Sequence, residues 1–165
     1  MTADEQEQAV VVRLHELGIA FKRYEHPPIA TVQDALAHWA GIEAAHCKNL
    51  FLRNPKGDRH YLVVVEHTKR ADLHRLAAQI GDGRLSFGSA DRLARCLGVT
   101  PGSVSPFALT HDRGHHVRVM IDRDLRDAAL VSFHPNVNTR TFVISGADFQ
   151  RFLKASGHAV EYVTV

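Results

Sequence analysis

The sequence predicts an α+β fold: one domain with a mixed, mostly antiparallel curved sheet flanked by helices. Three observations lead there. Apolar stripes at helical spacing alternate along the chain with short runs of β-type residues. Two of those runs, Lys48–Arg53 and His60–Glu66, flank a hairpin-type turn, Asn54-Pro55-Lys56-Gly57-Asp58. No linker, low-complexity tract or internal repeat divides the 165 residues, a length that suits a single core. Helices interleaved with hairpin-connected strands are the pattern of an α+β layer architecture.

Taken in order, Gln6–Leu17 carries Val10, Leu14 and Leu17 on one helical face and ends at Gly18, a helix-stop residue. Ala20–Glu25 reads as a short strand leading into a turn at His26-Pro27-Pro28. Thr31 can cap a helix over Val32–Ala40, with Asp34 in the first turn where negative charge suits the dipole, and Gly41 interrupts it. Lys48–Arg53 and His60–Glu66 form the hairpin. Asp72–Ile80 is helical by the spacing of Leu73, Leu76, Ala77 and Ile80. Leu85-Ser86-Phe87 is a short strand, Ser89 or Asp91 starts the next helix, and Gly98 ends it. Phe107–Leu109, His116–Asp122, Leu130–Phe133 and Thr139–Ser145 carry strand-type residues. Ala147–Ala155, with Asp148 in its first turn, is a final helix before a strand over Ala159–Val165.

Composition narrows the class. An apolar fraction of 45% with 23% charged residues is that of a soluble globular protein. No apolar run approaches the roughly 20 residues that span a bilayer, so no membrane partner is expected. The acidic start, Met1 to Glu7, is the opposite of a secretory or mitochondrial leader, which points to the cytoplasm. Cys47 and Cys96 form neither a CxxC pair nor a disulfide framework, and both read as reduced thiols, Cys96 in the core. A net charge of +2 is too small to diagnose nucleic-acid binding, so any RNA contact must be local. Nothing suggests a coiled coil or a long exposed apolar edge, and a monomer is expected.

Three separated segments carry the chemistry. In Lys48-Asn49-Leu50-Phe51-Leu52 a lysine opening a strand can set its ammonium at the sheet rim, as a compact charge for a phosphate or ribose-bearing ligand. Asn49 both donates and accepts, and could position a hydroxyl or an ester carbonyl. A solvated lysine and a turn asparagine fit the same residues. In Gly102-Ser103-Val104-Ser105-Pro106 a permissive glycine and a rigid proline bracket N–H groups able to converge on an oxyanion, although a plain turn has the same composition. His134, at the end of Leu130–Phe133 and before Pro135, could be a general base, a hydrogen-bond donor, a wall of a pocket or a structural histidine.

Other chemistries find less support. His111, His115 and His116 flank Asp112-Arg113-Gly114, which reads as a turn between strands; no HExxH or cysteine set completes a tetrahedral site, so no metal is expected. Cys47 beside Lys48 would allow a Cys-His thioesterase with His134, but no recognisable nucleophile context surrounds it. There is no GxSxG elbow and no GxxxxGK[ST] loop.

Four segments, in order, resemble the YbaK/prolyl-tRNA-synthetase-associated editing domains, which hydrolyse mischarged aminoacyl-tRNA. They are Tyr24-Glu25-His26-Pro27-Pro28 with Thr31, Lys48–Leu52, Leu97–Phe107 and Phe133–Thr141, and the likeness extends over about residues 8–157. Ala108 stands where glycine is expected to be common in relatives. The resemblance implies the fold of that family, no cofactor, and catalytic roles for Lys48 and for the loop of Gly102, Ser103, Val104, Ser105 and Pro106. It implies substrate-binding roles for Asn49 and His134, with His134 selecting a small amino acid; Thr31 reaches the pocket mouth or only caps its helix. KNLFLRN, RLSFGS and LGVTPGSVSP look closest to the free-standing branch that deacylates alanyl-tRNA(Pro). The implied partner is the acceptor end of mischarged tRNA(Pro), with transient contact to prolyl-tRNA synthetase. Cysteinyl-tRNA(Pro), seryl- or threonyl-tRNA as substrate, or a silent tRNA-end binding module, are the alternatives.

Overall fold

The computed structural model describes residues 1–29 and 31–165. Among them the chain runs α1 (Ala3–Glu16), β1 (Lys22–Glu25), α2 (Val32–Trp39), β2 (Ala45–Arg53), β3 (His60–Glu66), α3 (Leu73–Ile80), β4 (Ser86–Phe87) and α4 (Ala90–Leu97). A 3-10 helix (Pro106–His111), β5 (Val117–Asp122), a 3-10 turn (Arg123–Leu125), β6 (Leu130–Phe133), β7 (Arg140–Ser145), α5 (Gly146–Ser156) and β8 (Val160–Val163) complete it. No helix among the described residues is long and apolar enough to cross a membrane.

The strands form one mixed sheet in the order β1-β7-β6-β2-β3-β5-β8, with β4 added to β2. The pairs β1/β7, β6/β7, β2/β3 and β2/β4 are antiparallel. Three pairs, β2/β6, β3/β5 and β5/β8, are parallel. Parallel neighbours need long crossovers and leave no hairpin signature, which is why the hairpin-based expectation is silent about them. Tyr61 to Val65 of β3 are fully buried, the continuous apolar run expected of a strand covered on both faces.

Alternation along β2 and β3 divides the core in two. Cys47, Phe51, Leu62 and Val64 face a large cluster with Leu14 of α1, Leu97 of α4 and Phe149 of α5. Leu52, Tyr61, Val63 and Val65 face a smaller one closed by Leu76 of α3. Cys96 is half-buried against the larger cluster, not inside it.

The element boundaries follow their caps. The helix α1 starts at Ala3, three residues before the expected Gln6, because Thr2 and Glu5 form a capping box: Thr2 Oγ1 accepts from Glu5 N at 3.1 Å and Thr2 N donates to the Glu5 carboxylate at 2.7 Å. Ser89, not Asp91, caps α4, accepting from Arg92 N at 3.1 Å. The strand expected at Phe107–Leu109 is instead part of the 3-10 helix. Ser105 Oγ accepts from Phe107 N at 2.9 Å and Pro106 occupies the first turn, so the local Ser-Pro start overrides the β-type composition that follows. The turn at Asp112-Arg113-Gly114 therefore joins this helix to β5 and does not lie between two strands.

At the β7/α5 corner, Gly146 donates its N–H to Ala129 O at 2.9 Å, and a Cβ there would lie 2.0 Å from Ala128 O, a backbone atom. Gly146→Ala must push two backbone segments apart, and is expected to lower stability by about 1–3 kcal/mol. Urea denaturation measures this as a reduced midpoint; an unchanged midpoint would contradict the packing described at this corner.

Candidate functional site

The central strand β2 has one edge divided between two neighbours. β6 pairs with it only at Ala45 and His46, and β4 only at Leu52 and Arg53. From Cys47 to Leu50 that edge has no strand partner among the described residues, while the other edge stays paired to β3. A pocket of about 120 Å³ borders this stretch. Its apolar wall comes from α2, whose Val32, Ala35 and Trp39 share one face, together with Val104 and Ile29. Lys48, Asn49, Thr31, Gly102 and His134 supply the polar part.

The wall is held by a buried histidine. Trp39 stacks on His46 with ring centroids 4.6 Å apart and planes 6° from parallel. His46 Nε2 donates to Ile42 O at 2.9 Å, which leaves Nδ1 to accept from Ser132 Oγ at 2.6 Å. Burial lowers the His46 pKa, so this link between α2, β2 and β6 is neutral at pH 7.

Lys48 is the fourth residue of β2 and not its first, because the strand begins at Ala45. Its ammonium is not at a free sheet rim; it donates to the carbonyl of Lys69, whose own ammonium contacts the buried Asp122 at 2.8 Å and Asp124 at 2.6 Å. Alternation sends the neighbouring Asn49 to the opposite face, with Cys47 and Phe51. The Asn49 amide oxygen is buried and has no hydrogen-bond partner among the described residues. An unpaired buried acceptor costs about 1–3 kcal/mol, so a donor brought by a ligand would recover that energy.

The five-residue loop divides. Gly102, with φ of +87°, and Val104 line the pocket. Ser103 is buried on the other side, bordering a separate cavity with Asn136, while Ser105 and Pro106 are buried and spent on capping the 3-10 helix. Ser103 N–H is bonded to Thr100 O at 3.0 Å. The N–H groups of Gly102, Val104 and Ser105 have no acceptor among the described residues. What this loop offers a ligand is thus backbone, with one glycine and one valine surface.

His134 directly follows β6. Its Nδ1 lies 2.9 Å from Arg140 O and must carry the proton, since a carbonyl only accepts. Nε2 is left as the acceptor of the ring, with no partner among the described residues. Burial, with the His26 ring 5.9 Å away adding to it, lowers the His134 pKa and keeps the ring neutral. Thr31 both caps α2, accepting from Asp34 N at 3.2 Å, and lines the pocket.

Cys47 borders the pocket, but burial raises its pKa far above neutrality, so a thiolate nucleophile is not available there. His111 is bonded to Gln6 at 3.1 Å and the ring of His115 packs on His158 at 4.7 Å. Among the described residues no group of three His, Cys, Asp or Glu side chains could hold a metal ion. A larger groove of about 680 Å³ between α1 and the 3-10 helix contains none of Lys48, Asn49, Gly102 or His134. Sequence reasoning missed the α2 wall, although the spacing of Val32, Ala35 and Trp39 was its visible signal, and missed the Lys69 carbonyl as the partner of Lys48, a backbone contact that leaves no signal.

Residues 26–152 match the model of the aminoacyl-tRNA editing domain family. The prolyl-tRNA editing protein ProX of Acetoanaerobium sticklandii is 39% identical over 158 residues, covering 94% of this chain and 95% of that protein. The prolyl-tRNA synthetase associated domain-containing protein 1 of Bos taurus is 35% identical over 162 residues, covering 96% and 94%. A crystal structure of a candidate trans-editing enzyme for prolyl-tRNA synthetase superposes with a TM-score of 0.72 at 20% identity, covering 100% of this chain and 99% of that one, which shows the shared fold.

The depressed pKa values of His46 and His134 have a stability consequence with a definite sign. Above about pH 6.5 both rings are neutral folded or unfolded. Below it the unfolded chain takes up protons that the folded chain refuses, so stability falls with pH until the folded values are reached. The urea midpoint is expected to drop between pH 7.5 and 5.5, less steeply in His134→Asn. Parallel pH curves for the two proteins would show that His134 is not held neutral by its burial.

Proposed function

The chain belongs to the aminoacyl-tRNA editing domain family and is an aminoacyl-tRNA deacylase; on that premise we propose that its substrate is mischarged tRNA(Pro), with alanine as the amino acid removed. The carrying observation is the pocket of about 120 Å³ lined, against an apolar wall, by the neutral His134 ring, by Asn49, whose amide oxygen has no partner among the described residues, and by Gly102 and Val104, whose N–H groups have no acceptor among them. Pockets for drug-sized ligands run from about 300 Å³ upward, so this one suits a single small side chain.

An aminoacyl ester is already activated, and its hydrolysis needs a placed water and a stabilised oxyanion more than a protein nucleophile. The N–H groups of Gly102 and Val104 are the donors for the ester oxygen. The Asn49 oxygen accepts from the substrate's ammonium or ribose hydroxyl. Lys48, with two N–H donors left after its bond to Lys69 O, anchors the terminal nucleotide. The ribose hydroxyl next to the ester activates the water. Ser103, Ser105 and Pro106 act by shaping the loop from behind. We place the enzyme in the cytoplasm as a monomer, in transient contact with prolyl-tRNA synthetase. The name of the Bos taurus relative supports the association with that enzyme.

Purified protein is incubated with Ala-, Cys-, Ser- and Pro-tRNA(Pro), and loss of each ester is followed. Ala-tRNA(Pro) should be cleaved fastest, with Lys48→Ala and Asn49→Ala each lowering kcat/KM about 10–100-fold, the size of a lost charge-assisted bond or an orphaned polar group. Preferential loss of Cys-tRNA(Pro) would move the assignment to cysteine, and survival of every ester would reject editing of tRNA(Pro). His134→Ala, which enlarges the pocket, should raise cleavage of larger amino acids relative to alanine by about tenfold, within the range a few methylene-sized contacts give. An unchanged ranking would remove His134 from specificity.

A further inference from the structure

On the face of β2 and β3 that carries Asn49, at the hairpin end of the two strands, lies a second groove of about 420 Å³. Its walls bring together Arg92 and Arg95 of α4, Arg113 of the turn before β5, and His60, the first residue of β3. We propose that this groove binds phosphate, and that in the reaction proposed above the phosphate is a backbone phosphodiester of the tRNA body.

Arg92 is held in place by neutral groups alone: its Nη1 donates to Gly57 O at 2.8 Å and to His60 Nε2 at 3.2 Å. The ring of His60 is fixed in turn by stacking on Phe51, with centroids 5.5 Å apart and planes 8° from parallel. Neither Arg92 nor Arg113 has a carboxylate within ion-pair distance among the described residues, and Arg95 has only the exposed Asp91, a pairing worth little in water. The one carboxylate in the groove, Asp112, is already committed, accepting from Val117 N at 2.7 Å and lying 3.0 Å from His158 Nε2. A half-buried guanidinium positioned on a carbonyl and an imidazole, with two more beside it, is built to receive an oxyanion.

Its location fits a long polyanion. Asn49 and His60 face the same side of the hairpin, since Arg53 lies opposite His60 and alternates in phase with Asn49. From Lys48 to Arg53 the strand advances roughly 17 Å, a distance over which a duplex carries on the order of ten phosphates. A tRNA with its end in the pocket would have its backbone within reach of the groove. The protein's net charge of +2 makes this clustering a local feature and not a general basicity.

The inference rests on the tRNA reading, and the test separates the two. Uncharged tRNA(Pro) with a fluorescent label is titrated with the full protein between 50 and 200 mM salt. In Arg95→Gln/Arg113→Gln, whose side chains are exposed and can be lost without unfolding, affinity should fall about tenfold at low salt. The slope of log Kd against log salt should shrink by about two. Arg92→Gln should act in the same direction, with a urea midpoint as the check on folding. Wild-type affinity and slope in both variants, with adenosine monophosphate bound no better by the wild type than by the variants, would overturn the proposal. If tRNA binding were unchanged while adenosine monophosphate bound the wild type and not the variants, the phosphate would come from a free nucleotide and the RNA assignment would fall. Because uncharged tRNA has no ester, lost affinity in a protein that cleaves no ester would uphold the groove and reject the deacylase substrate. Ester cleavage with unaltered tRNA affinity would do the reverse.

Discussion

Backbone hydrogen bonding along β2 is the constraint on which the rest of this molecule depends. A buried strand must satisfy its N–H and C=O groups, and the edge of β2 does so with β6 at one end and β4 at the other. The two partners leave a gap from Cys47 to Leu50, and the pocket lies beside it. The neighbours of the gap are not decoration: α2 forms the apolar wall, Gly102 and Val104 border the pocket with N–H groups that have no acceptor among the described residues, and His134 arrives because β6 ends one residue before it. The His46 bridge from Ser132 to Ile42 ties these elements to the same end of β2.

Charge is handled with economy in the pocket. Cys47 is protonated and the His134 ring is neutral, both through burial, so Lys48 is the group there that carries a full charge. Its ammonium rests on a backbone carbonyl, and the residue that offers that carbonyl is itself clamped by Asp122 and Asp124. A fixed cation beside unpaired dipoles favours a substrate that brings negative charge and hydrogen-bond donors together, as the end of an aminoacylated RNA does.

Much of this was legible in the sequence, because it is written in local chemistry. Thr31, Ser89 and Gly98 mark helix ends by capping, and these ends fall where expected, while α5 starts at Gly146, one residue before expectation, because Ser145 caps it. Lys48, Asn49, Gly102, Val104, Thr31 and His134, far apart in the chain, border one pocket. The failures have physical causes. Phe107–Leu109 has strand composition, but Ser105 and Pro106 commit it to a 3-10 helix. Ser103, Ser105 and Pro106 share the motif with Gly102, yet a loop turns successive side chains to different sides, and no spacing rule says which. The parallel pairs, the Trp39–His46 stack and the Lys69 carbonyl are tertiary contacts between segments with no shared pattern.

The sheet order also sets when in the life of the chain the site exists. Lys22 of β1 lies opposite Val143 of β7, and β2 reaches β6 by pairing Ala45 with Val131. A growing chain on the ribosome can form the β2/β3 hairpin early, but its pocket stays open until β6 and His134 have emerged. Contacts this distant in sequence make for slow, late closure. Synthesis thus yields a hairpin first, and the main core, which needs Phe142 and Phe149, closes with the pocket only near its end.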